Sequence, residues 1–347
     1  MNVVYVYLGQ ALPKYAVASI HRFNNRFPKQ NMTFISDVEA NLEVVRNLGI
    51  RTQLVTNPVE AWPELREHRS VDPNFRDGFW LLTLARFQAI AQFMAAYPNE
   101  SVLQVECDVL LFPNFPFELI NGSAKEISYP LVNDNEAAPS LVYFKSEEAV
   151  SNLLDFASRQ ISLRSKLTDM TILHAYWLDF PDRVQILPTN IDQEVAFQPW
   201  VTNHLRTSMS EGFNIYNGIF DAATWGQYLG GEDPRNTLGI RRVFHVLKHH
   251  AVDPSRFDYF YESETESPYV SVGSRKVPIF CLHIHSKDPK FFSKNYGSRL
   301  QKRIDSLPRR EKREFLLQIA LTNFRITTLK IIFTAQLKRL KKLFGTS

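Results

Sequence analysis

Short runs of Val, Ile, Leu and Tyr alternate with helical patterns through the first third of the chain. That alternation narrows the fold more than any other feature. Residues 3–8, 32–35, 51–55 and 101–105 read as strands, with helices expected at 15–23, 42–48 and 79–96. Buried strands separated by helices imply an α/β fold, a mostly parallel sheet with helices on both faces. Ligands of such sheets bind beyond the carboxyl ends of the strands, where Gly9, Asp37 and Glu106 would cluster. Neither a Walker sequence nor GxGxxG is present, so a bound diphosphate would have to be held by metal and side chains.

The strand at 101–105 runs into Glu106-Cys107-Asp108 and then Val109-Leu110-Leu111-Phe112-Pro113. Two carboxylates at the mouth of a buried strand are costly unless a cation meets them. On extended chain, residues i and i+2 point the same way, so Glu106 and Asp108 converge while Cys107 faces away. Paired oxygen ligands of this kind suit Mg²⁺ or Mn²⁺. The bland alternative is a solvated acidic pair. Far along the chain, Ile279-Phe280-Cys281-Leu282-His283-Ile284-His285-Ser286-Lys287 also reads as a strand, which puts His283, His285 and Lys287 on one face. Imidazole can complete a metal shell begun by carboxylates, and an ammonium two residues further can hold a diphosphate.

Composition is ordinary for a soluble globular chain, and no apolar run is expected to span a membrane. The chain opens directly into its first strand without a basic leader, so no signal peptide is expected. Cys107 and Cys281 are the only cysteines, which implies no disulfide framework and a reducing compartment. The net charge of +4 is unevenly placed. From Leu307 to Ser347 there are ten Lys/Arg against Glu311 and Glu314, a charge of +8 that leaves −4 on the preceding chain. Such a body is not expected to bind nucleic acid.

Further along, a strand is expected at 140–144, a helix at 146–159, and a helix start at 167–173 capped by Thr168. A strand at 184–187 precedes Phe213-Asn214-Ile215-Tyr216-Asn217-Gly218-Ile219-Phe220-Asp221, read as an apolar strand leading into a helix through Trp225 and Tyr228. Residues 253–278 read as an excursion before the histidine segment.

Taken together, these segments resemble nucleotide-sugar-dependent glycosyltransferases of the GT-A fold, near the capsular-polysaccharide and mannosyltransferase-like branches. Four features carry the resemblance across about the first 290 residues. They are Phe34-Ile35-Ser36-Asp37, the helix segment Leu84-Ala85-Arg86-Phe87, the acidic pair in place of the DxD motif, and Leu282-His283-Ile284-His285-Ser286-Lys287. One departure is Glu106, a methylene longer than the family's first Asp. The resemblance implies a body at 1–295, and the charge and apolar spacing beyond it read as a basic amphipathic helical tail at 296–347. The resemblance also implies a nucleoside-diphosphate sugar as donor and a glycan or lipid-linked acceptor. Asp108 would ligate the metal, Glu106 would bind ribose or metal through water, and His283 or His285 would complete the shell. Lys287 would hold the leaving diphosphate, Arg86 would meet the acids or the diphosphate, and Asp37 would touch the nucleobase or ribose.

An inverting reaction needs a carboxylate base. Asp221, Asp169 and Asp233 are the candidates, in that order. Their plain alternatives are helix N-termini for the first two and a turn for Asp233-Pro234. Retention would need no such base, and the residues leave the stereochemistry open. Asn217-Gly218 is expected beside the acceptor, and the Trp225 ring face would suit a sugar there, although core packing is the favoured reading of Trp225. Cations at both ends of the apolar stretch 315–333 suit an anionic membrane surface, hence a peripheral position on the cytoplasmic face. Two competing readings are a silenced membrane-tethered scaffold and a sugar nucleotidyltransferase, which usually carries a basic Gly-rich loop.

Overall fold

The computed structural model describes residues 1–67, 78–161, 167–191, 197–231 and 250–307. Its centre is a seven-stranded sheet in the order β3-β2-β1-β4-β7-β6-β8. The strands are β1 (Asn2–Val6), β2 (Asn31–Ser36), β3 (Arg51–Leu54), β4 (Val102–Val105), β6 (Ile127–Pro130), β7 (Leu141–Phe144) and β8 (Val184–Leu187). Neighbours pair in parallel except around β7, which runs against both β4 and β6. The expected α/β architecture is therefore what the chain adopts.

Alternation along the strands explains why both faces are covered. Val3 and Tyr5 of β1 point into one apolar layer while Val4 points into the other. Leu141 and Tyr143 of β7 join the first layer, and Val142 and Phe144 the second. Ala16, Ile20 and Phe23 of α1 (Lys14–Arg26) and Leu42 and Val45 of α2 (Glu39–Arg46) close the first. The second is closed by α4 (Phe79–Ala96), α6 (Glu147–Ile161) and α7 (Asp169–Asp179). These two layers supply most of the apolar burial that stabilises the fold.

Contrary to the expectation that no segment approaches spanning length, α4 is 18 residues long and apolar enough to cross a membrane by composition. It carries Arg86 and packs along the second layer, half buried, as a core helix. The excursion at 253–278 is a three-stranded antiparallel sheet of β9 (Asp258–Glu262), β10 (Ser267–Val272) and β11 (Arg275–Pro278). The helix Tyr296–Asp305 buries Tyr296, Leu300 and Ile304 against this body, so the body extends past the boundary expected at 295. The basic stretch from 308 onward lies outside the described residues, as does Asp233.

Order reverses at β1 and β4, and the loops after these two strands lie side by side beyond their carboxyl ends. A two-stranded antiparallel ribbon, β5 (Val109–Leu111) with β12 (Cys281–His283), sits at that end and pairs His283 with Val109.

Candidate active site

Glu106, Cys107 and Asp108 form the connection from β4 to β5. It is a tight turn rather than extended chain, closed by the Val109 amide donating to the Glu106 carbonyl at 3.0 Å. The expected convergence of the two acids holds, but the turn produces it, not strand parity. Cys107 turns inward into the first apolar layer. Neither Cys107 nor Cys281 is in a disulfide.

Only Cys281–His283 of the histidine segment is strand. The chain then curls: the His285 amide donates to the His283 carbonyl at 3.0 Å and Lys287 takes a φ of 53°. His283, His285 and Lys287 therefore do not share a strand face, as the parity argument expected. His283 Nε2 lies 3.2 Å from Asp108 Oδ1 and 3.4 Å from Glu106 Oε2. Lys287 Nζ lies 3.6 Å from Asp108 Oδ2 and 5.5 Å from the centre of the Tyr15 ring. His285 instead lies tilted against His283, ring centres 4.1 Å apart, with its Nε2 3.5 Å from Gln227 Nε2.

Glu106, Asp108 and His283 offer three ligand atoms within 4.8 Å of one another, and His285 is not in that group. Two carboxylate oxygens and one imidazole nitrogen suit Mn²⁺ or Mg²⁺. Charge agrees with this fit. Glu106, Asp108 and Asp169 face two permanent cations, Arg86 and Lys287, which leaves one negative charge for a further cation to neutralise. Without metal, His283 fills that role as imidazolium. Burial would lower its pKa, but Asp108 and then Glu106 lift it to about 9. Burial likewise opposes ionisation of Asp108, and His283 followed by Lys287 overcomes it and holds this carboxyl well below the usual range.

The folded pKa of His283, about 9, exceeds the ordinary imidazole value of 6.5. Its contribution is thus fully present below pH 6.5 and lost as pH rises through 9, on the order of 3 kcal/mol. Metal-free denaturation curves at pH 6.5 and 9.5 should show that loss in the wild type and little of it in His283→Gln. An equal loss in both would refute the pairing.

Arg86 sits mid-way along α4, where burial would lower its pKa, but Glu106 and Asp169 more than compensate and keep it charged. One guanidinium nitrogen donates to Glu106 Oε1, another to Asp169 Oδ2, and Nε to the Thr83 carbonyl at 2.9 Å. The pairing with Glu106 matches expectation. Asp169 as second partner was not foreseen, because an Asp behind a Thr cap reads as helix-terminal decoration. Thr168 does cap α7, in a reciprocal box with Thr171. Asp169 is 2% exposed, its carboxylate bonded to Arg86 and to the Met170 amide, 3.0 Å. It stands in the site with no oxygen presented as a free base.

Asp37 accepts from the Gly9 amide at 2.8 Å, so it fixes the loop after β1. Gly9 needs its freedom there, with φ of 79° and Leu82 Cδ1 only 2.8 Å from where a Cβ would stand. Asn41 bonds Leu12 and Gln10 of the same loop, which brings the start of α1 and Tyr15 toward the acids. Tyr15 was missed, since one Tyr in an amphipathic helix carries no signal of its own.

Asp221 follows a short helical turn, Phe213–Tyr216, and a single bridge from Ile219 to Ile279, where an apolar strand was expected. Helix α10 (Thr224–Gly230) comes next. Trp225 is wholly buried, its Nε1 donating to the Thr189 carbonyl at 3.3 Å and its ring against Phe257. It is a core residue, as the favoured reading of Trp225 has it, and not a sugar platform. Asp221 is 1% exposed, and burial raises its pKa to about 6 against three backbone hydrogen bonds that lower it. An acceptor base needs an oxygen open to the cleft. The carboxylate of Asp221 faces amides instead.

No family model matches the chain, and no curated protein does. Among solved structures it is similar to the galactosyltransferase LgtC in complex with donor and acceptor sugar analogs. That match has 16% identity over 55% of this chain and 75% of LgtC, with a TM-score of 0.39. An active-site mutant of LgtC aligns over 71% of this chain and 95% of its own, at 14% identity and a TM-score of 0.44. The PaToxG glycosyltransferase aligns over 52% of this chain and 69% of its own, at 12% identity and a TM-score of 0.33. Likeness of this degree leaves the functional reading to the chain's own residues.

Proposed function

We propose that the chain is a metal-assisted glycosyltransferase of the GT-A type. It would move a sugar from a nucleoside-diphosphate donor to a glycan or lipid-linked acceptor. One observation carries this reading: the Glu106–Asp108 turn, His283 and Lys287 meet at the carboxyl end of the sheet where strand order reverses. Asp108, His283 and Glu106 would hold Mn²⁺ or Mg²⁺, which when bound supplies Lewis-acid neutralisation of a diphosphate. The chain's own residues do the rest. Lys287, half-covered and braced on Asp108 and the Tyr15 ring, places an ammonium for the charge that grows on the departing diphosphate. Arg86 orients Glu106 and Asp169 toward one side of the cleft, and Asp37 holds the Gly9 loop that borders the nucleoside. Asp169 and Asp221 are engaged as described, which leaves Asp233, outside the described residues, as the third candidate base should the reaction invert.

The test is a panel of nucleotide sugars with Mn²⁺, scored for nucleoside diphosphate release. Silence across the panel would favour a catalytically inactive scaffold, and pyrophosphate-dependent exchange a nucleotidyltransferase. The basic stretch from 308 we assign to an anionic membrane surface on the cytoplasmic side. A chain ending at Leu307 should lose salt-sensitive binding to phosphatidylserine vesicles, and unchanged binding would refute this assignment.

A further inference from the structure

The buried carboxylate of Asp221 is fully committed. Oδ1 accepts from the Trp225 amide at 2.9 Å, while Oδ2 accepts from the Gly226 amide at 2.8 Å and the His283 amide at 2.7 Å. Two of these donors open the first turn of α10, and the third is the main chain of the histidine that faces the acids. The contact is close because Gly226 has no side chain. A Cβ there would stand 2.0 Å from the His283 carbonyl oxygen and 2.5 Å from Asp221 Oδ2. Gly230, one turn on, lies close to Ile284, with 2.8 Å from a Cβ there to its Cδ1. Gln227, between them, reaches His285, and its buried Oε1 has no hydrogen-bond partner among the described residues. Helix α10 thus rides directly on the end of β12 and the turn after it, which carry His283 and His285.

A metal-ligating histidine is usually oriented by a hydrogen bond from its other ring nitrogen. His283 Nδ1 is buried and has no such partner among the described residues. Its orientation therefore has to come from the main chain. Resting on the function proposed above, we propose that Asp221 is a positioning residue and not the acceptor base. It clamps the β12 main chain to α10 and so fixes the reach of His283 Nε2 toward Glu106 and Asp108.

Asp221→Asn keeps the shape but turns one acceptor into a donor facing amide N–H groups. Titration of the full chain with Mn²⁺, read by loss of the free-ion electron paramagnetic resonance signal, should show at least a tenfold weaker Kd for this variant. Unfolding should stay cooperative, and excess Mn²⁺ should restore most of the turnover. Gly226→Ala should weaken Mn²⁺ similarly, by forcing α10 away from the His283 main chain while every carboxylate keeps its charge. Wild-type affinity in Asp221→Asn, with kcat lowered a thousandfold at saturating Mn²⁺, would overturn the inference in favour of a base. If Asp221→Asn does not fold, unchanged affinity in Gly226→Ala overturns it. Hydrogen exchange on the wild type bears on it too: the His283 amide should exchange only through global unfolding, and fast exchange would refute the clamp. A wild type that binds no Mn²⁺ sinks the proposed function and the inference together, whereas binding unaltered in the variants sinks only the inference.

Discussion

Asp108→Ala should lower nucleoside diphosphate release by about 10²–10³-fold or more, the scale expected when a preorganised electrostatic group is removed. Asp108 is the residue on which the site converges: His283 touches one of its oxygens and Lys287 the other. Removing it takes a ligand from the metal and leaves Lys287 without its carboxylate. A binding readout separates this from misfolding. Saturating Mn²⁺ should raise the thermal midpoint of the wild type, since a ligand at about 100 times its Kd adds about 2.7 kcal/mol. The variant should show no such rise. A variant that keeps both turnover and the Mn²⁺-induced shift would remove the basis for the proposed chemistry.

Arg86→Met should be the most destabilising single change in the site, by about 3–5 kcal/mol, the usual cost of leaving a buried charge without its partner. Asp169, 2% exposed, would then have no cation, and Glu106 would lose one of its two contacts. The pH dependence has a definite sign. Without Arg86, burial holds the Asp169 pKa above its unfolded value. The protonated form is then tolerated near pH 4, and stability is lost as pH rises through the folded pKa. The deficit relative to wild type should be small at pH 4.5 and large at pH 7.5 in urea denaturation. Adding Asp169→Leu should recover part of it, because the two sites are coupled. A deficit equal at both pH values would show that lost packing, not stranded charge, is what Arg86 contributes.

Periodicity exposed the sheet well. Residues 79–96 and 184–187 fall where their patterns place them, and the alternation of Val3, Val4 and Tyr5 explains why both faces are covered. The acids and His283 were legible because polar residues ending apolar runs are costly and therefore conspicuous. What stayed hidden depends on contacts between distant segments. Arg86 and Asp169 are 83 residues apart, and neither pattern names the other. The parity argument for His285 and Lys287 failed because the strand ends at His283 and a turn through Lys287 follows. Asp221 read as a base because a carboxylate at a helix start resembles one in sequence. Only the third amide, from His283 62 residues away, shows what its oxygens hold.

The ribbon of β5 and β12 ties residue 109 to residue 283. During synthesis, the half of the site bearing Glu106 and Asp108 leaves the ribosome long before the half bearing His283 and Lys287. Until the later segment arrives, Arg86 is the one cation among the described residues that balances the two acids, and the carboxyl end of the sheet has no ribbon across it. Contacts of such long sequence separation form late and slow folding. A product cut short in the antiparallel β9–β11 sheet would therefore hold much of the core and none of the assembled chemistry.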